Sequence, residues 1–410
     1  MKPTVLLITT SRWIPTARLA MALANAGFTV DAVCPSAHPL HKIGAVRRTH
    51  AYRGLAPVAS IKTGIAASDP DLLIPCDDLA TRQLHEVHQR SVRRGDAGSA
   101  LCKLIERSLG SRGSFPIVYA RTPFIEMAQA EGVRVPHTAL LTNISELQAW
   151  IAQAGFPVVL KSNGSSGGEG VRIAQTAADA VAAFKRLQAP PRVAQGIKRA
   201  LVDRDKTLIW PSILRSRSIV NAQEFVVGRE ATSLIACWQG TVLASLHFEV
   251  VHKMSSSGPA TVIRLIDNSE MTSATRKMAL RLGLCGLHGF DFMLEANTGN
   301  AYLIEINPRT TQVGHLTLGL GRDLPAALYA AVSDAAIQAA PNLTEKPTIV
   351  LFPGEWTRNP ESTFLRSAYH DVPWEEPELV RIGLEKHRQQ SHWYSQKELE
   401  RTVSVVVPHH

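Results

Sequence analysis

No stretch of this 410-residue chain approaches the roughly 20 consecutive apolar residues that a membrane-spanning helix needs, so no membrane partner is expected. The first apolar run, Val5 to Ile8, is short and is followed by Arg12, Pro15 and Arg18, which is unlike a secretory leader. Cysteine is scarce: Cys34, Cys76, Cys102, Cys237 and Cys285 are odd in number, scattered, and form no C-x-x-C pair. That argues against a disulfide framework and a zinc site, and makes a reducing cytoplasm the expected compartment. No internal repeat or low-complexity segment is evident. No G-x-G-x-x-G follows the first strand-like run, so dinucleotide binding is poorly supported. No convincing Ser-His-Asp or Cys-His arrangement is present either, so a covalent enzyme nucleophile is not expected. Acidic residues are outnumbered, 35 against 44 Lys and Arg, leaving a formal charge of +9. The basic clusters Arg47-Arg48 and Arg90 to Arg94 lack interleaved aromatics, so solvated surface or attraction of anionic small molecules is expected rather than nucleic-acid binding.

What the chain does have is enough apolar content, 45%, to bury cores in two or three units, and one unusual stretch, Gly289 to Arg309. It reads as a β-hairpin around Ala296 to Asn300, whose Asn-Thr-Gly-Asn supplies turn chemistry. Pairing Glu295 with Ala301 and counting back places Asp291 opposite Glu305. Alternation puts Glu305 and Asn307 on one side, with Arg309 following, and Ile304 and Ile306 on the other. Such a hairpin could simply turn ordinary charges to solvent. Two carboxylates and a carboxamide that converge on sheet would repel, however, unless a hard divalent cation such as Mg²⁺ sat between them and phosphate oxygens completed its shell. A guanidinium at Arg309 suits a transferring phosphoryl group or an acyl phosphate.

With D-F-M-L on one strand and E-I-N-P-R on the next, this stretch resembles the metal-binding hairpin of the ATP-grasp superfamily, whose members activate a carboxylate as an acyl phosphate and pass it to a nucleophile. The resemblance implies Mg²⁺ (or Mn²⁺) ligands at Asp291, Glu305 and Asn307, ATP as cosubstrate, and a catalytic role for Arg309. Upstream, Val158 to Leu160 form a buried strand that delivers Lys161 to SNGSSGGEG, a run whose glycines can turn backbone N–H groups toward an anion. A flexible turn would use the same residues. In ATP-grasp proteins a strand ending in Lys, a Gly-rich loop and a G-V-x strand occupy this position, which implies phosphate contacts from Lys161, Ser165, Ser166, Gly167, Gly168 and Gly170, and a catalytic role for Lys161 beside Arg309. Another family lysine is replaced by Arg121 in ARTPF, which keeps the charge and changes the geometry. Gln223, Glu224, Phe225 and Val226 resemble the inter-lobe hinge that meets adenine, and Glu230 matches the family's ribose-binding acid by spacing.

The expected fold is α/β: an ATP-grasp fold of two α+β lobes that clasp nucleotide, preceded by an open doubly wound α/β domain. The N-terminal domain is placed at residues 1–110, one lobe at 111–190 with the glycine-rich loop, the other at 191–340 with the metal hairpin, and a C-terminal extension at 341–410 with Trp356 and Trp374 as packing anchors. Ligands of doubly wound sheets bind beyond the carboxyl ends of the strands, which points to Thr9 to Arg12 and Cys76 to Asp78, although Asp77 and Asp78 suit a helix N-terminus equally well. Lys253 and Arg264 flank a Ser/Gly loop that could take a substrate carboxylate or simply be exposed. His315 could touch substrate, cap or pack. The expected helices include one capped by Ser145 and one from Asp323 to about Ala340. The expected activity is carboxylate-amine ligation of small molecules in the cytoplasm, with a homodimer allowed. Carboxylation through carboxyphosphate and non-catalytic ATP binding are the alternatives.

Overall fold

The computed structural model describes residues 2–162, 170–189, 218–256 and 258–388. The run TVLLI supplies β1 (Thr4–Ile8), followed by α1 (Ile14–Ala26), β2 (Thr29–Cys34), β3 (Val46–Ala51), α2 (Pro57–Ser68), β4 (Leu72–Pro75), α3 (Asp78–Arg93) and α4 (Ala100–Leu109). The four strands are parallel in the order β3-β2-β1-β4. β1 is buried on both faces, as a doubly wound sheet requires. Val5 and Leu7 enter one core with α1, while Leu6 and Ile8 enter another with Ile61, Leu84 and Ile105 of the helices opposite. Arg47 and Arg48 lie on β3 at the sheet edge, where a polar, exposed strand discourages further pairing. With only Val46 and Ala51 apolar, β3 has no apolar run to mark it as a strand.

A four-stranded antiparallel sheet, in the order β5-β8-β6-β7, is built from β5 (Thr138–Leu141), β6 (Val158–Ser162), β7 (Val171–Ala174) and β8 (Val220–Glu224). α6 (Ile144–Ala154) and α7 (Ala177–Gln188) bury one of its faces through Leu147, Trp150, Ala180 and Phe184. α6 is capped by Asn143, whose side chain accepts from Glu146 N, and not by Ser145; Glu146 answers by accepting from Thr142 N. α5 (Arg121–Ala130) precedes this sheet.

The third sheet has seven strands, in the order β13-β12-β9-β10-β11-β14-β15. They are β9 (Gly228–Trp238), β10 (Thr241–Lys253), β11 (Ala260–Leu265), β12 (Gly286–Glu295), β13 (Ala301–Asn307), β14 (Thr348–Leu351) and β15 (Tyr369–Asp371). Between β11 and β12 runs α8 (Ser269–Leu282), and after β13 comes α9 (Leu324–Ser333). α9 is capped by Asp323 and stops at Asp334, which takes a left-handed conformation at φ 54°, so the helix is shorter than its alanine-rich sequence suggests. The face carrying Leu234, Leu246 and Ile263 shares a core with α1 and α9, so the parallel-sheet domain and this lobe are one packed body. The other face packs on α5 and α8. β14 and β15 add the C-terminal segment to the sheet edge. Trp356 is buried there with its ring edge-on to Phe352, while Trp374 is half exposed. No described helix is long and apolar enough to cross a membrane.

Candidate functional site

The four-stranded and seven-stranded sheets are joined through residues 225–227, the break between β8 and β9. The chain is pinned there, because Ala296 N donates to Val227 O at 2.8 Å, and a Cβ at Gly228 would lie 1.9 Å from the Leu294 carbonyl oxygen. Only glycine allows that approach.

In the hairpin, Asp291 does pair with Glu305, but by a different route from the one the sequence suggests. Next to the turn the partners are Leu294 and Ala301, one residue off the expected register, and a bulge between Leu303 and Glu305 restores the count. The extra residue is Ile304. It breaks the alternation of faces, so that Ala301, Leu303 and Ile306 all enter the core while Glu305 and Asn307 turn the other way. Ile304 is therefore not a companion of Ile306 in that core.

Asp291 Oδ1 accepts from Thr232 Oγ1 on the neighbouring strand β9 at 2.8 Å, and its Oδ2 accepts from Asn307 Nδ2 at 2.8 Å. Glu305 is within hydrogen-bonding reach of Asp291 and forms an ion pair with Arg121, the first residue of α5. Burial, and then the Glu305 charge, push the Asp291 carboxyl up to about 6. Burial also opposes ionisation of Glu305, but Arg121 and Lys161 outweigh it and hold its carboxyl below the ordinary value. Two acids whose environments drive them apart, with a carboxamide alongside, form an oxygen-rich set that fits a hard divalent cation. Among the described residues no group of three or more His, Cys, Asp or Glu side chains is placed to hold a metal, so phosphate or water would have to complete the shell.

Lys161, near the end of β6, is buried, and its Nζ donates to Gln223 Oε1 at 2.7 Å. Gln223 in turn donates to Thr138 Oγ1 at 3.0 Å. Burial, with Arg121 adding to it, pulls the Lys161 ammonium down to about 8 against the opposing pull of Glu305 and Asp291. The four-stranded sheet thus brings its cation to the hairpin's carboxylates. Asn221 of β8 links the same sheet to α5 by accepting from Thr122 Oγ1 at 2.6 Å.

Arg309, two residues beyond Asn307, meets Asp78 of α3 with its guanidinium at 3.1 and 3.3 Å, and its charge also reaches Asp291. Asp77 caps α3 by accepting from Ala80 N, and it also accepts from Thr9 and Thr10 at the end of β1. Glu230 is exposed and pairs with Lys253 at 2.6 Å, and Arg264 pairs with Glu249, which also binds Arg229. Both loop-flanking cations thus have a carboxylate partner. His315 is buried, with Nε2 at 2.7 Å from Asp371 of β15. Ser165, Ser166, Gly167 and Gly168 lie outside the described residues; Gly170 is described, and its carbonyl accepts from Ser162 N. Glu224, Phe225 and Val226 occupy the end of β8 and the connection to β9. Thr232 carries no signal of its own, because a threonine in a strand is ordinary until the β9–β12 pairing sets it against Asp291.

The family profile described as "Carbamoyl-phosphate synthase L chain, ATP binding domain" matches residues 121–318, which begin at Arg121 and span the hairpin. No curated protein matches the sequence. Among solved structures, the chain is similar to the ADP complex of an N5-carboxyaminoimidazole ribonucleotide synthetase (TM-score 0.57, 15% identity, covering 84% of this chain and 80% of that one). It is similar to the biotin carboxylase domain dimer of Hydrogenobacter thermophilus 2-oxoglutarate carboxylase, solved with MgADP, ADP and bicarbonate (0.57, 13%, 82% and 71%). It is also similar to a Campylobacter jejuni biotin carboxylase (0.59, 12%, 82% and 72%). At such identities these likenesses speak for the fold. Together with the profile match, the two sheets joined at 225–227 and the parallel-sheet domain before them give this chain the ATP-grasp fold.

Proposed function

We propose that the chain is an ATP- and Mg²⁺-dependent ligase that activates a small-molecule carboxylate as an acyl phosphate and joins it to an amine, with release of ADP and phosphate. One observation carries this reading: Asp291 and Glu305 from the hairpin, with Asn307 hydrogen-bonded to Asp291, lie within electrostatic reach of Lys161 from the other sheet, so each lobe supplies charged groups to one site. Asp291, Glu305 and Asn307 would hold the cation, which when bound would neutralise and bridge phosphate oxygens. Lys161, ready-placed by Gln223, would hold phosphate oxygens from the opposite side, and the connection at 225–227 would offer backbone groups to the base. Arg309 would balance negative charge as the carboxylate attacks. No side-chain nucleophile is needed.

The decisive experiment is a screen of carboxylates with excess hydroxylamine, reading ADP and hydroxamate together. A carboxylate that raises both supports the ligase, and ADP release without hydroxamate for every acid counts against it. A second reading, carboxylation through carboxyphosphate, draws on the bicarbonate in the Hydrogenobacter structure and the carboxylating enzymes named above. It requires ADP release that depends on bicarbonate. That structure is also of a domain dimer, which makes a second copy of this chain a reasonable partner.

A further inference from the structure

Asp77 and Asp78 stand side by side at the start of α3, and their carboxylates do different things. Asp77 is the helix cap, and its two oxygens are taken up by Ala80 N, Thr9 Oγ1 and the backbone and hydroxyl of Thr10. The helix has no need of a second capping carboxylate. Asp78 instead reaches the hairpin: Arg309 Nε donates to Oδ1 at 3.1 Å and Nη2 to Oδ2 at 3.3 Å. The backbone around this pair is fastened too, with Thr81 Oγ1 donating to Pro308 O at 3.0 Å.

A guanidinium has five N–H donors in a rigid fork. In Arg309 three are in use, two on Asp78 and one from Nη1 to Thr310 O at 3.1 Å. Among the described residues one donor is left on each terminal nitrogen, and two such donors suit the two oxygens of a carboxylate or phosphoryl group. The side chains of Arg309 and Asp78 keep 19% and 27% of their exposure, so the pair is partly buried and still open to a ligand.

We propose that Asp78, on the parallel-sheet domain, is the positioning residue for Arg309: it grips the Nε–Nη2 edge and so presents the remaining two donors to an anionic oxygen pair of the substrate or of the transferring group. The proposal rests on the reading of Arg309 given above. It assigns the N-terminal domain a share in orienting the reacting charge, through a contact 231 positions away in sequence.

The test combines a measurement that needs no substrate with one that does. In nitrogen-resolved NMR of the full chain, the Arg309 Nε–H signal, identified by its loss in Arg309→Lys, should exchange slowly with solvent. Asp78→Ala should speed that exchange at least about tenfold and Asp78→Glu by less, because the grip is lost in one and lengthened in the other. With an accepted carboxylate, Asp78→Ala should lower kcat by about tenfold or more while leaving KM for ATP within about twofold, and Asp78→Glu should recover part of the loss. Adding Asp78→Ala to Arg309→Ala should cost nothing further, since residues that act as a unit are not additive. An unchanged Arg309 signal in Asp78→Ala, or a full further loss in the double variant, overturns the proposal. So does an Asp78→Ala chain that unfolds while Asp78→Asn is fully active, since the role would then be structural. If wild-type chain turns over no carboxylate, the functional reading fails and the NMR comparison alone decides the role of Asp78.

Discussion

Lys161 Nζ lies 2.7 Å from Gln223 Oε1, and this contact fixes a buried ammonium within reach of two carboxylates before any ligand arrives. Burial lowers the lysine to about 8, so near that pH part of the population is neutral. A phosphate beside Nζ favours the charged form. Nucleotide binding should therefore take up protons at pH 8 to 9, visible as a dependence of the calorimetric heat on the buffer's ionisation enthalpy. In Lys161→Met that uptake should vanish and affinity should fall by about tenfold or more, corresponding to one lost charge-assisted contact. Equal proton uptake by wild type and variant would remove Lys161 from the site.

Asp291 is kept at a cost to the ligand-free fold. Its carboxyl is raised from 3.8 to about 6, so between those values the native state binds more protons than the unfolded state, and stability falls as pH rises through that window. Asp291→Asn should therefore melt higher than wild type at pH 7 to 8, by a margin that disappears near pH 4. The same variant should lose at least about tenfold in Mg²⁺-dependent turnover, since one cation ligand has lost its charge. Chelation should abolish wild-type turnover, and added Mg²⁺ should restore it. A variant both less stable and fully active would contradict the assignment on two counts.

Asp371 works in the opposite direction. Despite burial, His315 and Arg18 hold its carboxyl far below the usual range, and Arg18 Nη2 is 2.6 Å away with both side chains nearly buried. A depressed carboxylate contributes stability that is present above its unfolded value and is lost on acidification. His315, lowered mainly by its own burial, adds to that loss, since below its ordinary value the unfolded chain binds a proton the native state resists. Asp371→Asn should cost about 3 kcal/mol in urea denaturation, because it leaves Arg18 buried without its counter-charge. Its pH dependence below neutrality should flatten accordingly. The site groups are untouched, so kcat at 20 °C should change by less than about twofold.

Gly228 is the pivot of the inter-sheet connection. An added Cβ would sit 1.9 Å from the Leu294 carbonyl oxygen, so Gly228→Ala must displace either β9 or the hairpin. Such overpacking costs about 1–3 kcal/mol, and here it should also weaken nucleotide binding by moving the strand that carries Thr232 toward or away from Asp291. Wild-type melting and affinity in Gly228→Ala would mean that the connection is slack.

Much of this protein was legible in its sequence. Runs such as TVLLI and VVLK are apolar enough to be strands in almost any context, and capping residues such as Asp77 and Asp323 mark helix starts through bonds made within a few residues. The Asp291, Glu305 and Asn307 set was visible because a hairpin is local and side chains alternate on a strand. Even so, the count came out right only because a one-residue offset at the turn and the bulge at Ile304 cancel, and no pattern in the sequence announces a bulge. Tertiary structure alone decided which charges these residues face. Arg121 meets Glu305 across 184 positions, Asp78 meets Arg309 across 231, and Arg18 meets Asp371 across 353. The sequence marks several of these residues as candidates but says nothing of which partner each one meets. Each residue's role comes from the burial and low local dielectric created when separate sheets close on one another, a property of the packed chain that no stretch of its sequence contains.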